Sequence, residues 1–210
     1  MSRSLATGAG TRILAPAFSN LRRCTGMSAL HSQALDEIRH CLDKVRDEEF
    51  DAAVTEITAA GRIALYGVGR EGLQIKGLAM RLFHLGLRAA MVGDMTTPAV
   101  GKGDLLVVSA GPGDFSTVSA LMNVARRAGA RTLLVTAEPS GAAAALADTV
   151  LTVPAQTMAR DQGAVAGSVL PMGSLYEGAL YVLFEILILS LRDRLAVSPA
   201  AMRANHTNLE

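Results

Sequence analysis

The sequence predicts an α/β fold built on a mostly parallel sheet. Compact apolar runs alternate with longer stretches of helical periodicity, the order that places helices on the faces of parallel strands. One of the runs, Leu105 to Ser109, shows no polar alternation, as suits a strand covered on both sides. Two glycine turns, Gly67 to Gly72 and Ala110 to Asp114, each follow an apolar run, and ligands of open α/β sheets gather at such strand ends.

The elements follow in order. Between Ser32 and Thr58 the apolar residues Leu35, Ile38, Leu42 and Val45, then Phe50, Val54 and Ile57, recur at helical spacing. They predict one or two amphipathic helices lying over the sheet. Ile63 to Tyr66 is the first strand, and after the glycine turn Leu73 to Leu85 is a helix closed by Gly86. Ala89 to Val92 and Leu105 to Ser109 are the second and third strands. A helix over Phe115 to Ala128 ends at Gly129, and Thr132 to Thr136 is the fourth strand. Ser140 to Leu146 reads as a further helix, Thr149 to Val153 as the fifth strand, and Ser168 to Leu195 as a long apolar helix or pair of helices. Its most apolar part, Leu175 to Leu191, is interrupted by Glu177, Gly178 and Glu185. It falls short of the roughly 20 apolar residues that cross a bilayer, so it reads as a core helix.

With 210 residues, half of them apolar, the chain can bury one substantial core. Residues 27–210 are read as that single domain. A net charge of +1, no Trp and no basic run among aromatics leave no electrostatic footprint for nucleic acid. Cys24 and Cys41 lie outside any C-x-x-C pattern and read as reduced thiols of a cytoplasmic protein. Residues 1–26 carry Arg3, Arg12, Arg22 and Arg23 among Ser, Thr and Gly, with no acid before Asp36. That segment reads as a disordered leader, or as a start placed ahead of Met27, with an organellar transit peptide as the alternative.

The first turn, Gly67-Val68-Gly69-Arg70-Glu71-Gly72, has the spacing G-x-G-x-x-G. Such a turn can hold the pyrophosphate of a dinucleotide, and Asp94 stands about where an acid would meet the ribose. Glu71 weighs against that reading, because it puts a carboxylate where the pyrophosphate would lie.

The blocks YGVGREG, LAMRLFHLGLRA, TTPAVGKGDLLVVSAGPGD, ADTVLTV and LPMGSLYEGALYVLFE, with the ending HTNLE, resemble the sugar-isomerase (SIS) domain, and within it the 6-phospho-3-hexuloisomerases. The resemblance runs from about Leu35 to Glu210. It implies a three-layer α/β/α sandwich around a five-stranded parallel sheet of flavodoxin-like type, assembled as a tetramer with sites between subunits. It also implies a reaction that needs no metal, nucleotide or other cofactor. A 3-hexulose 6-phosphate and fructose 6-phosphate interconvert as the carbonyl moves between C3 and C2 through an enediol. The natural partner is then a hexulose-6-phosphate synthase.

Such chemistry asks for a base at the proton α to the carbonyl and a second group that moves protons between the oxygens. Glu177 occupies the place of the family's catalytic glutamate, and an acid in an otherwise apolar helix start is costly unless paired or used. Its structural alternative is a carboxylate favoured by the helix dipole, and Glu185, on the same helix, is a rival. His206 matches the family's C-terminal histidine, with Asn205 where that family has arginine, and such a tail residue can serve a neighbouring subunit's site. Arg81 and His84 read as structural ion-pair or subunit-contact residues.

The resemblance further implies a ligand rim of Gly69, Arg70 and Glu71 from the first turn, with Ser109, Gly111, Gly113, Asp114, Ser116 and Thr117 from the second. Both loops depart from the family's G-x-G-R-S-G and S-x-S-G-E-T patterns. Glu71 replaces a serine, and Pro112 lacks an N–H donor. Three readings stay open: a hexulose-phosphate isomerase with a remodelled phosphate pocket, an isomerase of an uncharged or differently charged sugar, and a sugar-phosphate sensor without catalysis.

Overall fold

The computed structural model describes residues 26–162 and 167–209. The segment read as a leader, up to residue 25 and including Cys24, lies outside the described residues.

Helices α1 (Met27–Leu42) and α2 (Asp47–Ala59) lead into β1 (Ile63–Gly67), α3 (Gly69–His84) and β2 (Ala89–Met91). Then come β3 (Leu105–Ser109), α4 (Ser116–Arg127), β4 (Arg131–Thr136), β5 (Thr149–Thr152), α5 (Ser174–Arg194) and α6 (Pro199–Ala204). The five strands form one sheet in the order β2-β1-β3-β4-β5, and every pairing is parallel.

Alternation along each strand divides the core into two. Ile63, Leu65, Leu105, Val107, Leu133 and Val135 face α2, α3 and α5. Ala64, Leu106, Val108 and Leu134 face α4 on the other side. This is the expected three-layer sandwich. Helix α5 is long and apolar enough to cross a membrane by composition, and it buries Leu180, Leu183, Leu187 and Leu191, among others, in the first of these cores.

From β1 the chain goes through α3 to β2 at the sheet edge, then returns to the other side of β1 as β3. The strand order therefore reverses between β1 and β3, the kind of switch point where a crevice opens. Gly67 at the end of β1 pairs in register with Ser109 at the end of β3, so the two glycine turns face each other across that crevice.

The first and last glycines of the G-x-G-x-x-G spacing have a packing role. A Cβ on Gly72 would lie 2.5 Å from the Gly67 carbonyl oxygen, and one on Gly67 would lie 2.9 Å from the Gly72 Cα. Helix α3 starts that close to β1, and backbone on both sides leaves nothing to yield. Gly72→Ala is expected to cost about 1–3 kcal/mol or more by overpacking, read as a lower midpoint in denaturant unfolding.

Besides the start of α3, which lies at Gly69 and not at Leu73, three elements differ from expectation. Ser140 to Leu146 is not an α-helix; a 3-10 turn covers Ala142–Leu146, where Ala143 alone is buried. A run of alanines gives an α-helix little apolar surface to anchor. The long C-terminal helix begins only at Ser174, because Met172 (φ 55°) and Gly173 (φ 81°) take left-handed conformations that no helix continues through. Helix α6 is additional to the expected elements, and Ser198 caps it by accepting from the Ala201 N–H at 3.1 Å while Pro199 opens it, a recognisable start signal.

Candidate active site

Glu71 lies in the first turn of α3, and its side chain turns inward across the crevice, leaving it only 9% exposed. Its Oε2 accepts from the Ser109 hydroxyl at 2.7 Å and from the Gly111 backbone N–H at 2.9 Å. The carboxylate therefore joins the first glycine turn to the second. Tyr176, fully buried on α5, places its hydroxyl 3.2 Å from Ser109 Oγ. Since the Ser109 proton goes to Glu71, Tyr176 donates, and the chain of bonds runs Tyr176 to Ser109 to Glu71. Burial raises the Glu71 carboxyl above its ordinary value against the pull of these bonds. Burial, and then the neighbouring Glu71 charge, hold the Tyr176 phenol well above its ordinary range, so it remains a donor. Gly111 has no room for a side chain, since a Cβ would meet Tyr176 at 2.8 Å and Glu71 at 2.9 Å.

Glu177 stands in the first turn of α5, and Arg70, from the first glycine turn, reaches it with Nε 3.0 Å from Oε2. Arg70 also donates to Ser174 Oγ at 3.1 Å and to the Met172 carbonyl oxygen. One guanidinium thus holds both the Glu177 carboxylate and the left-handed segment that precedes α5. Burial pushes the Glu177 carboxyl up, Arg70 pulls it back, and Glu71 adds to the push; the net direction is upward. A raised carboxyl beside a cation, on the wall of a cleft, is able to exchange a proton with a bound ligand.

These groups line a cleft of about 480 Å³ at the carboxyl ends of the strands. Arg70, Glu71, Tyr176 and Glu177 supply its polar groups together with Thr157, while Pro112, Phe115 and Met158 supply apolar walls. The Thr157 hydroxyl is buried and has no hydrogen-bond partner. Neither Tyr176 nor Thr157 was singled out from the sequence. Tyr176 carried a signal, because a phenol inside an apolar helix has to find a partner. Thr157 carried none.

The remaining sequence candidates are dispersed. Gly69 (φ 56°) shapes the rim beside Arg70. Gly113 (φ 96°) packs against the chain at Glu138 and Gly141, so its role is a close backbone contact. Asp114 accepts from the Ser119 hydroxyl within α4. Ser116 and Thr117 are exposed at the start of α4, which no side chain caps. Glu185 forms a two-pronged ion pair with Arg81, at 3.0 and 3.1 Å, outside the cleft.

His206 is not beside Glu177 within the chain. It lies in a different cleft, next to Arg81 and Arg203, with its ring stacked on His84 at a centroid distance of 5.0 Å. Asn205 donates to the His84 carbonyl oxygen at 3.0 Å and so docks the C-terminal segment on the end of α3. The physical reason for the separation is this docking: the tail packs on α3 away from the strand ends.

No family model matches the chain. It is 38% identical over 175 residues to the 3-hexulose-6-phosphate isomerase of Mycobacterium gastri, covering 83% of this chain and 87% of that protein. The Bacillus subtilis (strain 168) 3-hexulose-6-phosphate isomerase is 28% identical over 179 residues, covering 85% and 96%. Among solved structures, a hypothetical protein from Methanococcus jannaschii, whose crystal structure was described as inferring a molecular function of 3-hexulose-6-phosphate isomerase, aligns with a TM-score of 0.74. It is 26% identical, over 86% of this chain and 98% of that one. With the five-stranded parallel sheet and this extent of identity, the chain belongs to the 3-hexulose-6-phosphate isomerase family of SIS-fold proteins.

Proposed function

We infer that this chain is an isomerase that interconverts 3-hexulose 6-phosphate and fructose 6-phosphate. The observation that carries the reading is the placement of Glu177, at the helix start that faces both glycine turns, with its carboxyl raised by burial. In the direction from fructose 6-phosphate, Glu177 takes the proton from C3, the electrons move into the C2–C3 bond, and an enediol forms. Returning a proton to C2 while the carbonyl closes at C3 completes the exchange.

Protons must also pass between the two oxygens, and for this role we assign His206 of a second copy of the chain. Support comes from the separate cleft that His206 occupies within its own chain and from exposed apolar residues on α3 and α5. Leu73, Met80 and Tyr181 are 61%, 48% and 64% exposed, and Met80 and Tyr181 flank one groove between the two helices. A homo-oligomer, a tetramer as the resemblance implies, would cover them. Co-expressed Glu177→Gln and His206→Ala chains are then expected to show activity above that of either variant alone, because mixed assemblies contain one intact site. Activity no greater than that of either parent would remove His206 from the site.

The cytoplasm is the proposed location, with a hexulose-6-phosphate synthase as pathway partner. The reading is tested by supplying formaldehyde, ribulose 5-phosphate and such a synthase, then following fructose 6-phosphate. Its appearance only when this chain is present supports the assignment; none above the synthase blank refutes it.

A further inference from the structure

The crevice between the two glycine turns is where backbone N–H groups and a hydroxyl would meet an anion. In this chain those donors are already engaged. The Ser109 hydroxyl and the Gly111 N–H both end on Glu71 Oε2, at 2.7 and 2.9 Å, and Tyr176 closes the chain of bonds behind them. The carboxylate that fills the crevice is covalently part of the protein and is nine-tenths removed from solvent.

We propose that Glu71 is a specificity-determining residue that acts as a resident anion, filling the crevice between the turns so that a substrate phosphate is kept off the Ser109 and Gly111 donors. This rests on the isomerase reading for the identity of the substrate, and on geometry alone for the exclusion. Three observations support it. A Cβ on Gly111 would already collide with Glu71 and Tyr176, so these two side chains take up the space over the Gly111 backbone. A phosphate dianion would face like charge at close range in a site of low dielectric. Arg70 is the one cation among the described residues lining the cleft, and it is already paired with Glu177, so it does not offset that repulsion. It stands half exposed, whereas Glu71 is buried.

The expected consequence is that removing the resident anion opens an anion site. Glu71→Ser empties the crevice and frees the Ser109 and Gly111 donors; Glu71→Gln removes the charge while keeping the volume. Binding of inorganic phosphate, measured by calorimetry at fixed ionic strength on variants shown to be folded by circular dichroism, separates the cases. We expect Glu71→Ser to bind phosphate at least tenfold more tightly than the native chain, with Glu71→Gln between them. A folded Glu71→Ser chain whose phosphate affinity is unchanged or weaker overturns the proposal, since a purely structural carboxylate, or one that helps to hold the ligand, would give that result. If Glu71→Ser does not fold, Glu71→Gln decides: tighter phosphate binding supports the proposal and unchanged binding overturns it. Because inorganic phosphate is not turned over, this outcome is independent of the isomerase assay, so failure of the proposal and failure of the proposed activity are read separately.

Discussion

Glu177→Gln is expected to lower kcat about a hundredfold or more, the scale typical of losing a positioned general base. The amide has the shape of the carboxyl and can still accept from Arg70, so the fold and the lip of the cleft should stay intact. What is lost is the ability to hold a proton taken from carbon. The native enzyme should also carry the signature of this group in its pH profile. Glu177 must be ionised to act, and burial raises its pKa in the folded chain. The acid limb of kcat/KM should therefore lie above the ordinary carboxylate range, with activity rising as pH increases through it. The variant's residual activity should lack that limb. Near-native turnover in Glu177→Gln would sink the assignment of the base.

Arg70→Met should have the second-largest effect. Arg70 binds the Glu177 carboxylate, Ser174 Oγ and the Met172 carbonyl oxygen together, and although a half-exposed ion pair is itself worth only about 1 kcal/mol or less, losing all three contacts releases the base and the segment before α5 at once. Misplacing the base in this way is expected to lower kcat/KM roughly tenfold or more. The sign of the accompanying pH shift is defined. Arg70 lowers the Glu177 pKa, so its removal lets that pKa rise further, and the acid limb moves to higher pH. Steady-state kinetics across pH would check both parts. A limb that stays in place, or moves to lower pH, would show that Arg70 does not act on Glu177.

The strands were legible because each is a short apolar run bounded by glycine or polar residues, and Leu105 to Ser109 coincides with β3 from end to end. The start of α3 was not. Its first turn is the glycine motif itself, Gly69-Arg70-Glu71-Gly72, and two glycines in four residues give no helical signal. The candidate base was legible as an acid in an apolar stretch. The direction of Glu71 was not, because it depends on β3, rather than β2, supplying the turn that faces it, and strand adjacency is set by the whole sheet. Read from the chain alone, Glu71 looked like a charge presented to the ligand. The fold turns it inward and binds it to Ser109 and Gly111. His206 shows the other limit: the tail docks on α3 through Asn205 and His84, away from Glu177 of the same chain, and the service to a neighbouring subunit's site that the sequence suggests depends on assembly rather than on the chain's own fold.

The most direct measurement is proton exchange on fructose 6-phosphate in heavy water, followed by NMR. An enzyme that moves the carbonyl between C2 and C3 through an enediol must remove the C3 proton, so the C3 signal should fade with time while both C1 protons persist, and Glu177→Gln should suppress the loss. Exchange at C1 would identify a different isomerase. No exchange at either carbon, with folded protein and bound ligand, would contradict the proposed activity.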